Sequence, residues 1–312
     1  MVTQSIRLKS TQHYGSRPPS KWAGAVQVAL PDAVRQSVRM AFEGRSHGKK
    51  RPAWLAATAD VRFVGIEGDE ETVLRFELPT LREAAPRIYE QRELFPTYKP
   101  DAADTGFDLL ADVIADIADR NADSARFDQK MLDCVAHFCR FIGGETFTTL
   151  TFDRRGRADS VTVTNEVIET AKTLYTNVPV PKRVCIVGRL DMVRASTQTF
   201  GVILDDGQEV RGVLAEGEIE GIAGLLKQRV QILGKAIYRP SGRLLRVDAE
   251  EVSATTDSGS FFSAIPKPSR KRFELREVLR EQSGKGGIAA IIGKWPGDET
   301  DEEVAAALAD MS

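Results

Sequence analysis

The sequence predicts an α+β protein: an N-terminal α+β domain, then a small five-stranded β-barrel, then a helical C-terminal tail. Three observations carry that expectation. Between residues 31 and 177, stretches with helical apolar spacing alternate with short strand-like runs. After Val178-Pro179-Val180-Pro181 the pattern changes to strands separated by glycine turns. After residue 253 it changes again, to a polar linker and short apolar runs joined by glycines.

Composition sets the outer bounds. The chain has 312 residues, 42% of them hydrophobic, which suits two domains or three small ones. A net charge of −2 gives no global field toward nucleic acid or anionic lipid. No apolar run of about 18 residues is present, so no transmembrane helix is expected. Met1 to Ser20 is polar and lacks the apolar region of a signal peptide, so a cytoplasmic location is expected. Cys134, Cys139 and Cys185 are odd in number and sit in apolar contexts, which predicts buried reduced thiols.

Residues 1–30, rich in Ser, Gln, Gly and Pro, read as a flexible N-terminal arm with one short strand around Ala25–Leu30. Pro31-Asp32 then opens a helix to about Phe42, with Val34, Val38 and Phe42 on its buried side. Arg45, Lys49, Lys50 and Arg51 follow in a loop that either touches phosphate or is solvated. Val61–Ile66 and Thr72–Leu78 form a hairpin across Gly68-Asp69-Glu70. Two amphipathic helices come next, Asp104–Asn121 and Ser124–Ile142. A second hairpin, Thr146–Phe152 with Ser160–Thr164, precedes a helix over Asn165–Tyr175 with Asn165 as N-cap. Residues 31–177 therefore form an α+β domain, and the proline-stiffened 178–181 segment is the boundary.

Residues 182–253 carry the barrel. Strands are expected over Val184–Leu190, Thr197–Leu204 and Glu209–Leu214, then a helix over Gly217–Leu226, then strands over Arg229–Tyr238 and Arg243–Val252. Asp205-Asp206-Gly207 and Pro240-Ser241-Gly242 supply turns. Three strands, a helix and two strands is the order of an OB-fold, which this segment resembles; an SH3-like barrel is the competing architecture. Gly188 and Gly234 fall inside strands, where a small barrel bends sharply. OB-folds hold single strands with stacking aromatics and a basic groove. Phe200 and Tyr238 are the candidate platforms, and Arg189, Arg194, Arg211, Lys235, Arg239, Arg243 and Arg246 the candidate backbone contacts. Ten acids in the same segment leave open a barrel whose charges are only solvated and whose two aromatics are core.

Residues 254–312 read as a linker and a partner-binding tail. Lys267–Arg272 is a basic run, and a charged helix covers Phe273–Gln282. Ile288–Ile292 is a short apolar turn, and Thr300 with Glu303 makes a capping box for a last helix bearing Val304, Leu308 and Met311. Such short helices bury little surface alone and need either the protein's own body or another chain. Ile288, Ile291, Ile292, Lys294, Trp295 and Leu308 are the candidate anchors. The run Ile292-Gly-Lys-Trp-Pro-Gly-Asp-Glu-Thr-Asp-Glu-Glu-Val resembles the C-terminal tails of antitoxin-like proteins paired with PIN-domain toxins. That resemblance implies a tail that wraps a toxin, with Ile291, Ile292 and Trp295 anchored and Lys294 offered to an acidic metal-binding nuclease site.

Catalytic patterns are weak. His13, His47 and His137 are few for acid–base chemistry. Cys134, His137 and Cys139 have a metal-like spacing but do not share one helix face, so no metal and no cofactor is expected. Gly284-x-Gly286-x-x-Ala289 follows a charged helix and not a strand, which removes the dinucleotide reading. The expected function is non-enzymatic: an antitoxin-like protein that binds a PIN-type nuclease through its tail, or a single-stranded nucleic-acid binder acting through its barrel.

Overall fold

The computed structural model describes residues 1–90, 99–143, 146–154, 156–157, 159–214, 219–255, 265 and 268. Strand β1 (Val2–Ser10) lies where composition predicts a flexible arm. Gln4, Ile6 and Leu8 alternate inward, and the strand sits in the middle of a sheet. Only two of those inward residues are apolar, so the alternation is faint in sequence. Gln4 is the buried polar member: its amide donates to Asp108, and its oxygen accepts from the Thr105 hydroxyl at 2.6 Å.

Helix α1 (Ser20–Glu43) is the second correction to the N-terminal reading. It takes in the expected strand at Ala25–Leu30 and runs straight through Pro31. Pro31 therefore does not start the helix. The buried series Ala23, Val26, Leu30, Val34 and Val38 continues across it, and tertiary packing outweighs the one backbone bond that proline removes. Helix α2 (Ala53–Thr58) precedes the hairpin of β2 (Arg62–Glu67) and β3 (Thr72–Leu78).

Short helices α3 (Leu81–Ala84) and α4 (Pro86–Glu90) follow, then α5 (Gly106–Ala118) and α6 (Gln129–Ala136). Thr105 and Asp108 form a reciprocal capping box on α5. The helix expected from Ser124 starts later, because Asp128 caps it by accepting from Met131 N. It also stops sooner, tightening into a 3-10 turn at His137–Arg140. β4 (Phe147–Asp153) and β5 (Ser160–Val163) complete the sheet in the order β2-β3-β1-β4-β5, all antiparallel. α7 (Asn165–Asn177) is capped by Thr164, one residue before the expected cap.

The barrel begins as soon as the proline segment ends. Its strands are β6 (Lys182–Arg194), β7 (Thr199–Ile203), β8 (Glu209–Leu214), β9 (Arg229–Tyr238) and β10 (Leu244–Ala254). They close in the order β10-β8-β7-β6-β9. β8 and β10 run parallel, and the other pairs are antiparallel. Helix α8 (Glu220–Ala223) lies between the third and fourth strands, as the OB-like reading requires. The glycines behave as close-approach points. A Cβ on Gly234 would stand 2.4 Å from Asp248 O, and one on Gly188 2.7 Å from Ile203 O.

Two apolar cores result. The first draws on residues from Ile6 to Val178, with the helices layered on the inner face of the sheet. The second, from Val184 to Ala249, fills the barrel. Both belong to one compact unit, Met1–Arg270. Among the described residues no helix is long and apolar enough to cross a membrane.

Candidate functional site

The end of α1 is where the α+β domain meets the barrel. α1 stops at Gly44 in a left-handed conformation, and the chain turns through Arg45 and Ser46. Barrel side chains close on this turn. Arg211 Nη2 donates to Phe42 O at 2.8 Å, and Arg246 Nη1 donates to Gly44 O at 2.9 Å. In return Arg45 Nη1 donates to Leu214 O at 3.3 Å. A Cβ on Gly44 would lie 2.7 Å from the Arg211 guanidinium carbon, so the glycine makes room for that side chain. Cations over the last carbonyls of a helix are favourably placed against its dipole.

The arginines here are unequally neutralised. Arg39 and Arg45 share Glu43, at 3.0 and 2.8 Å. Arg246 pairs with Asp128 at 3.2 Å and Asp248 at 2.7 Å. Arg211 makes no ion pair among the described residues. Burial, together with the neighbouring Arg194 and Arg246 charges, outweighs the attraction of Glu43 and pushes its pKa down to about 10.

Two cavities open on the barrel, the first beside this turn and the second at the β9–β10 turn. The first, about 200 Å³, is lined by Ala41 and Phe42 of α1 and by Met192, Arg194, Thr199, Phe200, Gly201, Glu209 and Arg211. The second, about 530 Å³, is lined by Gln208, Glu209, Tyr238, Arg239, Gly242, Arg243, Leu244, Ile265 and Pro268. Glu209 belongs to both, so the pair runs from the β6–β7 connection to the β9–β10 turn. In OB-folds the second and third strands and these two connections form the ligand face.

Six of the nine barrel residues singled out for nucleic acid therefore line one or other cavity: Arg194, Phe200, Arg211, Tyr238, Arg239 and Arg243. Lys235, which pairs with Glu250, and Arg246, which pairs with Asp128, line neither. Arg189 lines neither and faces Asp191 at 3.6 Å. The aromatic roles need correction. Phe200 is 0% exposed and Tyr238 1%, so both belong to the barrel core and neither offers a free face for stacking. Small inward barrel positions must be filled by side chains, and these two strands supply their bulk there. A Cβ on Gly212 would lie 2.1 Å from the Phe200 ring, which shows how tightly the ring is held.

Arg239 and Arg243 are tied to the loop after α5. Arg239 Nη1 donates to Asp123 O, and Arg243 Nη1 stands 3.4 Å from Asp123 Oδ2. Ser241 N donates to Ala122 O at 3.2 Å, pinning the β9–β10 turn. Phe42 and Asp123 have no signal in the sequence that would have marked them, because each joins the site only once α1 and the α5 loop dock on the barrel; Met192 and Glu209 lie on barrel strands and enter by the barrel's own closure.

The remaining expected site residues fall elsewhere. Ile288, Ile291, Ile292, Lys294, Trp295 and Leu308 lie outside the described residues. The three cysteines are free; Cys134 and Cys185 are half-buried, whereas Cys139 is exposed, so the expectation of uniformly buried thiols does not hold. Among the described residues no three His, Cys, Asp or Glu side chains are grouped to hold a metal ion. His137 Nδ1 is engaged with Asp133 O at 2.6 Å.

Comparison with known proteins gives no match to a family model and none to a curated protein.

Proposed function

We propose that the protein binds single-stranded nucleic acid along the β7–β8 face of its OB-like barrel. One observation carries this reading: two adjoining cavities run between the β6–β7 and β9–β10 connections and are lined by Arg194, Arg211, Arg239 and Arg243. Arginine forks suit phosphate oxygens, and four along one groove make a path for a backbone. With Phe200 and Tyr238 in the core, base stacking contributes little, and the binding is mainly electrostatic and sequence-tolerant.

Fluorescence anisotropy with labelled strands of about 15 nucleotides tests it. Affinity should fall steeply with salt, and Arg194→Gln, Arg239→Gln or Arg243→Gln should each lower the salt slope by about 0.7. Arg183, exposed and paired with Glu250 away from both cavities, serves as the control. No binding at low salt, or equal loss in Arg183→Gln, removes the reading.

The resemblance of the tail to antitoxin tails supports a separate proposal, that residues 273–312 bind a PIN-type nuclease through Ile288, Ile291, Ile292, Lys294, Trp295 and Leu308. It rests on the sequence alone. A chain ending at Arg272 should remain folded and lose a partner that the full chain captures from nuclease-treated cytoplasm; capture of the same material by both chains speaks against it.

A further inference from the structure

We infer that the 200 Å³ cavity against the end of α1 recognises a terminal phosphate of the bound strand, with Arg211 as its central cation. This rests on the nucleic-acid reading above and adds which part of the strand is read. A guanidinium carries five N–H donors. Among the described residues, Arg211 makes a single hydrogen bond, to Phe42 O, and no salt bridge. The neighbouring Arg39, Arg45 and Arg246 each face a carboxylate, so the charge left over at this joint is that of Arg211. A largely buried cation with no salt bridge of its own is costly, and an anion entering the cavity offsets that cost.

The shape of the site argues for the end of a strand over its middle. Ala41 and Phe42 wall the first cavity, while Glu209 marks the side on which the larger cavity continues. A strand lying along the face past Arg243 and Arg239 meets α1 at Ala41 and Phe42. A terminal monoester has a further ionisable oxygen that an internal diester lacks, and it gives Arg194 and Arg211 more acceptors to share. Met192 and Phe42 offer apolar wall to the attached sugar or base.

The test compares three oligonucleotides of one sequence, bearing a 5′-phosphate, a 3′-phosphate or hydroxyls at both ends, against the full chain. One phosphorylated form should bind at least about tenfold more tightly than the hydroxyl-ended strand. That preference should vanish in Arg211→Gln and shrink in Arg194→Gln, with thermal unfolding confirming that each variant is folded. If Arg211→Gln does not fold, the Arg194→Gln variant decides, together with competition by inorganic pyrophosphate on the unmodified protein, which should displace the phosphorylated strand preferentially. Salt-sensitive binding that is equal for all three strands overturns the terminal-phosphate inference and leaves the groove standing. A preference that survives both substitutions overturns it as well, and absence of any strand binding overturns both.

Discussion

Arg246 in β10 donates to Asp128, the N-cap of α6, across 3.2 Å, with both side chains buried at the joint between barrel and α+β domain. Asp128 is at once a helix cap, the acceptor of the Ser46 hydroxyl at 2.5 Å and amide at 3.0 Å, and the counter-ion of a barrel arginine. One carboxylate thus fastens three chain segments far apart in sequence.

Burial alone would raise the pKa of Asp128, but Arg246, the Ser46 donors and the Met131 amide more than offset it and hold the group below its ordinary value. A depressed folded pKa stabilises the protein above the unfolded value of about 3.9, and that contribution is lost as pH falls through the folded pKa. Asp128→Asn should cost about 3 kcal/mol at pH 7, because Arg246 loses a buried partner. Urea denaturation from pH 7 down to pH 3 should show a weaker acid limb in the variant than in the parent chain; identical limbs would discount the pair.

Asp104 should behave in the opposite sense. Burial, then the nearby Asp108 charge, raises its pKa from 3.8 to about 6. The folded state therefore holds this proton more tightly than the unfolded chain does. Its ionisation destabilises the fold progressively between about pH 4 and pH 6, and the penalty is complete above that window. Asp104→Asn should raise Tm at pH 8 and leave it nearly unchanged at pH 4, a difference that calorimetry reads directly.

Gly234 tests the barrel closure. A methyl group there meets the backbone of β10, at Asp248 O and at 2.8 Å from the Ala249 Cα, and backbone cannot swing aside as a side-chain tip can. Gly234→Ala should destabilise by about 2 kcal/mol. An alanine at Gly24, where nothing lies within 4 Å, should not, and equal unfolding midpoints for the two variants would contradict this packing.

Phe200 separates core from platform. If the ring fills the barrel, Phe200→Ala should cost about 3 to 5 kcal/mol in chemical denaturation. A free stacking platform would instead lose affinity for strands with a stability change within about 0.5 kcal/mol.

The barrel was legible because its signals are local. Turns at Asp205-Asp206-Gly207 and Pro240-Ser241-Gly242 bracket alternating strands, and Gly188 and Gly234 mark the bends whatever the rest of the chain does. The first thirty residues were misread for the converse reason. β1 carries two apolar inward residues and a buried glutamine, and its place at the centre of the sheet depends on β3 and β4, more than sixty residues away. Pro31 looked like a helix start because nothing local says that packing on both sides of it is strong enough to carry the helix through.

From the sequence alone follow the α+β class, the change of pattern at residues 178–181 and the set of barrel arginines, since periodicity, proline stiffness and charge are written residue by residue. Tertiary structure decided which arginines are neutralised and which keep their charge beside a cavity. It neutralised Arg39, Arg45 and Arg246 with Glu43, Asp128 and Asp248, turned Phe200 and Tyr238 into the core, and set Arg211 over the last carbonyls of α1 beside a cavity. Burial and counter-charge are properties of the space around a side chain, and that space exists only once distant segments have come together.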